Sequence, residues 1–106
     1  MRWYQQLYIG ENAKGKKDKI INKIKENKLQ RDIYVIALPS NPENLLDIYP
    51  AKVLLQSHFQ KQDIWILGIA KGYQEAIEGA GRIIVSIYEV TKGFAIKEYF
   101  KNQMFE

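Results

Sequence analysis

Cysteine is absent from this chain, histidine occurs once, at His58, and proline three times in 106 residues. Without cysteine there is no disulfide framework, no thiolate metal site and no thiol nucleophile. One imidazole cannot build a histidine cluster for zinc, so no metal and no cofactor is expected. Long hydrophobic runs are missing too. The stretches Ile33 to Leu38 and Ile64 to Leu67 fall far short of the roughly 20 apolar residues that span a bilayer. Residues 1–6 (MRWYQQ) lack the apolar region of a signal peptide. These absences set residence in the cytoplasm, away from membranes, as the expectation. Serine is scarce as well: Ser40, Ser57 and Ser86 are the only ones, and none lies in a nucleophile elbow. Catalysis is therefore not the expected role.

What remains is an ordinary globular mixture, with 46% apolar and 26% charged residues and a net charge of +4. A chain of this length forms one domain, residues 1–106, and buries a core without covalent staples. Residues 3–9 (WYQQLYI) are β-prone and end at Gly10, which reads as a strand. Asn12 offers an N-cap for a helix over about 13–29, with Ile20, Ile21, Ile24 and Leu29 near helical spacing. The apolar run at 33–38 predicts a strand buried on both faces. Pro42 and Pro50 each suit the first position of a helix, predicting one over 42–49 and another over 50–61, although 45–55 also accommodates a strand. Residues 64–70 (IWILGIA) predict a second doubly buried strand. A helix over 73–91 follows, with Ala76, Ile77, Ala80, Ile84, Ile87 and Tyr88 on one face. Residues 94–100 mix apolar and charged positions, which reads as an edge strand, and 101–106 as a frayed tail.

This order predicts an α/β fold: a mostly parallel four-stranded sheet flanked by three or four helices, with the last strand at an edge. Ligands of such sheets bind outside the carboxyl ends of the strands. Three segments meet there on this reading, and they nominate Lys14, Gly15, Lys16, Asn41, Lys71, Gly72 and Tyr73 as ligand-binding residues. Gly10 to Lys16 has the spacing G-x-x-x-x-G-K and is similar to the phosphate-cradling loop of nucleotide hydrolases. Lys17 stands where those loops carry the serine or threonine that holds magnesium. Composition alone yields about 0.06 such patterns in a chain of this length, so coincidence is an adequate account.

Charge is concentrated. Residues 14–31 carry eight Lys or Arg against Asp18 and Glu26, a net +6, and the remainder is net −2. A basic helix of this kind suits nucleic-acid phosphates or an acidic partner, but aromatic interleaving for base stacking is absent from it. The leading expectation is thus a non-catalytic binding or assembly module, with self-association as a homodimer or an unidentified protein as partner. Gly79 and Gly81 in the long helix are candidates for such a helix contact. The alternatives are a phosphate-bearing ligand at the Gly10–Lys17 loop and nucleic acid on the basic helix, the latter less favoured.

Overall fold

The computed structural model describes residues 1–106. Its sheet is built on two apolar strands, β2 (Ile33–Ala37) and β4 (Trp65–Lys71), which lie side by side in the centre. Val35, Ile36 and Ala37 are all fully buried, although successive residues of a strand point to opposite faces. Such a strand needs cover on both sides, and both sides are covered. β1 (Arg2–Ile9) and β3 (Asp47–Pro50) form the edges, in the order β1-β4-β2-β3.

The sheet is mixed, not mostly parallel. β1 runs parallel to β4, whereas β2 is antiparallel to both β4 and β3. Two connections set these directions. The path from β1 through the helix Lys17–Lys25 and the loop at 26–32 brings β2 in opposite to β1 and β4. Residues 42–49, expected as a helix, make a turn and then β3, within the stretch 45–55 that also accommodates a strand, so the chain folds back antiparallel to β2. A four-residue strand, DIYP, is too short to show an alternation in the sequence. The next stretch is a 3-10 turn (Ala51–Leu55) and the short helix α2 (Ser57–Gln60), broken at Gln56 by extended backbone. The second correction concerns the expected edge strand over 94–100, which is instead the helix α4 (Ile96–Lys101). Its buried residues, Ile96 and Phe100, are spaced i,i+4, a helical period that the interleaved charges obscure. Of residues 101–106, expected to fray, Lys101 ends α4 and 104–106 run back along β1. Trp3 and Glu106 exchange backbone hydrogen bonds of 3.0 and 2.9 Å, and Phe105 packs edge-on to Trp65.

Two hydrophobic clusters separate the layers. On one face, α1 (Lys17–Lys25) and the 3-10 turn Ala51–Leu55 close over Val35, Ile66 and Ile69 with Ile20, Ile24 and Leu54. On the other, α3 (Tyr73–Thr91) and α4 close over Ile36 and Leu67 with Ala80, Ile83, Ile87 and Phe100. α3 lies close to the sheet at Gly79, where a Cβ would stand 2.6 Å from the Tyr8 ring. Its buried face is Ala76, Gly79, Ala80, Ile83 and Ile87, rotated from the sequence expectation so that Ile77 and Tyr88 stand outside.

Candidate anion-binding site

Because β2 runs opposite to β4, the nominated residues divide between the two ends of the sheet. β1 and β4 end together at Gly10 and Lys71, beside the start of β2, where Ile33 pairs with Lys71. Asn41 follows the end of β2 and so lies at the other end. There its side-chain oxygen accepts the Glu43 N–H at 2.9 Å and shapes a turn, not a helix cap.

At the Gly10 end, the loop that resembles a phosphate cradle is already filled by the protein itself. Glu75, in the first turn of α3, accepts the Asn12 N–H at 2.9 Å and the Lys71 N–H at 3.0 Å. One carboxylate thus joins the loop after β1 to the loop after β4. Gly10 is needed here because a Cβ would collide with that carboxylate. The next two amides, of Ala13 and Lys14, return to the Gly10 carbonyl at 3.0 and 3.1 Å. The segment Glu11–Lys16 is a 3-10 helix, and the α-helix itself begins at Lys17. Asn12 caps nothing with its side chain. Gly15 is exposed with open space around it. Lys14 lies toward the groove between β1 and α3 and is paired with Glu11 at 2.8 Å. The hydrogen bond and attraction between these two hold the Glu11 carboxyl below its usual range and raise the Lys14 ammonium above its own.

Five cations gather on the α1 side of the same end. Lys16, Lys19 and Lys23 recur at three- and four-residue spacing along α1 and its entry, while Ile20 and Ile24 anchor the opposite side in the core. The chain then leaves α1 through Asn27 in a left-handed conformation and returns through Asp32 in another, at φ 57° and 58°. Between them, the Gln30 side chain donates to the Ile20 carbonyl at 3.1 Å and pins the loop against α1. Arg31 is carried by this pinned loop, and Lys71 arrives from β4. The side chains border an open, surface cavity of about 220 Å³ with Ile20 and Ile33 among its lining and Lys16, Lys19, Lys23, Arg31 and Lys71 around it. No carboxylate lines it. The ion pairs of the chain are Arg2–Asp63, Lys14–Glu11, Lys28–Glu26 and Lys101–Glu98, so none of the five cations has one.

Of the nominated residues, then, Lys16 and Lys71 meet in this cavity. Gly72 is the hinge beside it, at φ 97°, and donates its N–H to the Asp32 carbonyl at 2.7 Å. Tyr73 is exposed next to it, its ring 5.5 Å from that of Tyr34. Arg31, Lys19 and Lys23 are the additions, and Glu75 is the structural acid that the sequence signalled only as a carboxylate at a helix start.

The other end of the sheet holds a second cavity, of about 330 Å³, bordered by Leu38, Ser40, Tyr49, Trp65, Lys97 and Lys101. Beside it, Asp47 accepts from the Ser40 N–H (2.9 Å), the Ser40 hydroxyl (3.1 Å), the Tyr49 hydroxyl (2.8 Å) and the Asn44 amide (3.4 Å). Burial alone would raise the Asp47 carboxyl, but these donors outweigh it and hold the group below its ordinary value. Burial, then donation to that carboxylate, raises the Tyr49 hydroxyl. With its oxygens already engaged, Asp47 ties the loop at 40–44 to β3 and is not free to bind a ligand. His58 is exposed and contacts Gln62 at 2.8 Å, with no serine partner. No group of three or more His, Cys, Asp and Glu side chains converges anywhere. No helix is long and apolar enough to cross a membrane.

Compared with protein-family models, curated proteins and solved structures, the chain matches none.

Proposed function

We propose that this chain is a non-catalytic binding module whose ligand is a phosphate-bearing polyanion, held by Lys16, Lys19, Lys23, Arg31 and Lys71. The observation that carries this reading is the convergence of five cations, none ion-paired, on one cavity without a carboxylate. Like charges about 9 Å apart in water repel by roughly 0.5 kcal/mol per pair before screening. A cluster of this kind opposes folding slightly and is relieved when an anion enters. The ligand is held by side chains rather than by a backbone cradle, because Glu75 takes the Asn12 and Lys71 amides and the Gly10 carbonyl takes those of Ala13 and Lys14. Side-chain cations on an open surface suit a chain of phosphates better than a single buried one.

Titration with tripolyphosphate, ATP, a short DNA single strand and the matching duplex separates the sources of phosphate. Five contacts to a duplex give a slope of log K against log salt of roughly −4 to −5, and each lysine removed lowers its magnitude by about 0.9. Lys19→Ala and Lys23→Ala should each show that reduction. Absence of binding to all four probes at low salt, or binding indifferent to salt and to both lysines, would overturn the reading.

A further inference from the structure

Of the ten large hydrophobic side chains that stand exposed, five lie on α3: Tyr73, Ile77, Val85, Tyr88 and Val90. A sixth, Phe94, follows the helix and stacks on Tyr88 with ring centres 5.0 Å apart. At 100° per residue, Ile77, Gly81, Val85 and Tyr88 fall within an arc of about 80°. That arc faces away from the sheet. Its centre is Gly81, where a Cβ would meet nothing within 4 Å. Gly79 serves the fold by admitting Tyr8, whereas Gly81 serves no contact within the chain.

The charges beside this strip select its occupant. Glu78 and Arg82 lie one turn apart on the same flank, bordering a shallow groove with Gly81 and Val85, and Glu89 continues that flank about two turns beyond Gly81, outside the central pair. Neither forms an ion pair within the chain; Glu78 only accepts from the Gln74 amide at 3.3 Å. When two identical helices pack antiparallel about a two-fold axis, each flank meets its own copy in reverse order. A flank carrying an acid followed one turn later by a base is then complementary to itself. Symmetric parallel packing would instead set this flank against the opposite flank of the partner, away from the partner's own Glu78 and Arg82.

We infer that α3 is a homodimerisation surface, on which a second copy of this chain packs antiparallel about a two-fold axis near Gly81. Glu78 of each copy then faces Arg82 of the other, and Ile77 faces Val85 across the axis. Gly81 lets the two backbones approach closely. The surface lies on the face of the sheet opposite α1, so both cationic cavities stay uncovered, and the dimer presents two of them. The inference does not depend on what those cavities bind.

Sedimentation equilibrium of the full chain from about 1 to about 500 µM tests it. The expected mass rises with concentration from 12.4 kDa toward twice that value. Glu78→Arg and Arg82→Glu should each weaken association at least about tenfold, and the double exchange should restore it to within about threefold. Gly81→Leu, which has free space within the monomer, should weaken association with unchanged circular dichroism. A mass of 12.4 kDa at every concentration would overturn the inference. So would a double exchange that fails to recover, or Gly81→Leu associating like the parent, since a heterologous contact or another partner gives those results. Tripolyphosphate binding measured on the same variants should not change, which keeps the two proposals separable.

Discussion

The two faces of the sheet are covered by helices of different character, and each leaves a different surplus. α1 is short and buries Ile20 and Ile24, and what remains on its outside is mostly lysine, with Asp18 and Asn22. α3 is 19 residues long and buries five small or aliphatic residues, and what remains on its outside includes Ile77, Val85 and Tyr88. Folding uses the apolar stripe of α1 and only part of that of α3. The unpaired charge on one face and the uncovered apolar strip on the other are the features that the fold itself does not explain. They are accordingly where binding is proposed.

If both faces are close-packed cores, truncation should be costly on each. Ile66→Ala on the α1 side and Leu67→Ala on the α3 side should each cost about 2–5 kcal/mol in urea unfolding. Both side chains are essentially inaccessible, at 0% and 1% exposure. A loss below about 1 kcal/mol for Leu67→Ala alone would mean that the α3 layer is loosely docked, and the comparison would fail. The glycines of α3 sharpen it at smaller scale. Gly79→Ala should destabilise by about 1–3 kcal/mol, because the new methyl meets Tyr8 and Ile36. Gly81→Ala should stabilise the monomer by up to about 1 kcal/mol through helix propensity, since it meets nothing. Equal signs for the two would erase the distinction between a fold glycine and a surface glycine.

The smallest effect belongs to β3, which serves both faces: Tyr49 packs with the α1-side cluster and Ile48 with the α3-side cluster. The Asp47 carboxyl is held below its ordinary value of 3.8 in the folded chain. Its stabilising contribution is therefore complete above that value and is lost as pH falls through the lower, folded one. Thermal unfolding between about pH 5 and 2 should show this loss, and Asp47→Asn should flatten it. Protection of the β3 amides against hydrogen exchange should fall first.

Much of the molecule was legible residue by residue. The apolar runs around Val35 and Ile66 identified the central strands, because burial on both faces leaves no room for polar residues. The helical span of α3, though not the face it buries, and the basic stretch at 14–31 were equally plain. β3 was legible only as an alternative, a strand within 45–55, because the four residues DIYP carry too few positions for a period to emerge, and α4 was hidden by its interleaved charges. The candidate site was half legible. Lys16 and Lys71 could be named from their places after strands, whereas Asn41 was misplaced by assuming that every strand ended at the same side. Lys14 pairs with Glu11 three residues away and does not line the cavity that Lys16 and Lys71 share.

Local pattern by itself determined which segments form the buried centre of the sheet, because the free energy of removing apolar groups from water depends on each residue's own chemistry. Which face α3 buries was settled only by its docking, which turned Ile77 and Tyr88 outward. Direction and company were decided only in three dimensions. The antiparallel return of β2 set Lys71 beside the start of that strand. The pinned loop set Arg31 against α1, and Glu75 closed the amide loop from 63 residues away in sequence. None of these meetings has a local signature. Each depends on the path of the chain between elements, which loop lengths and packing of the whole domain settle together.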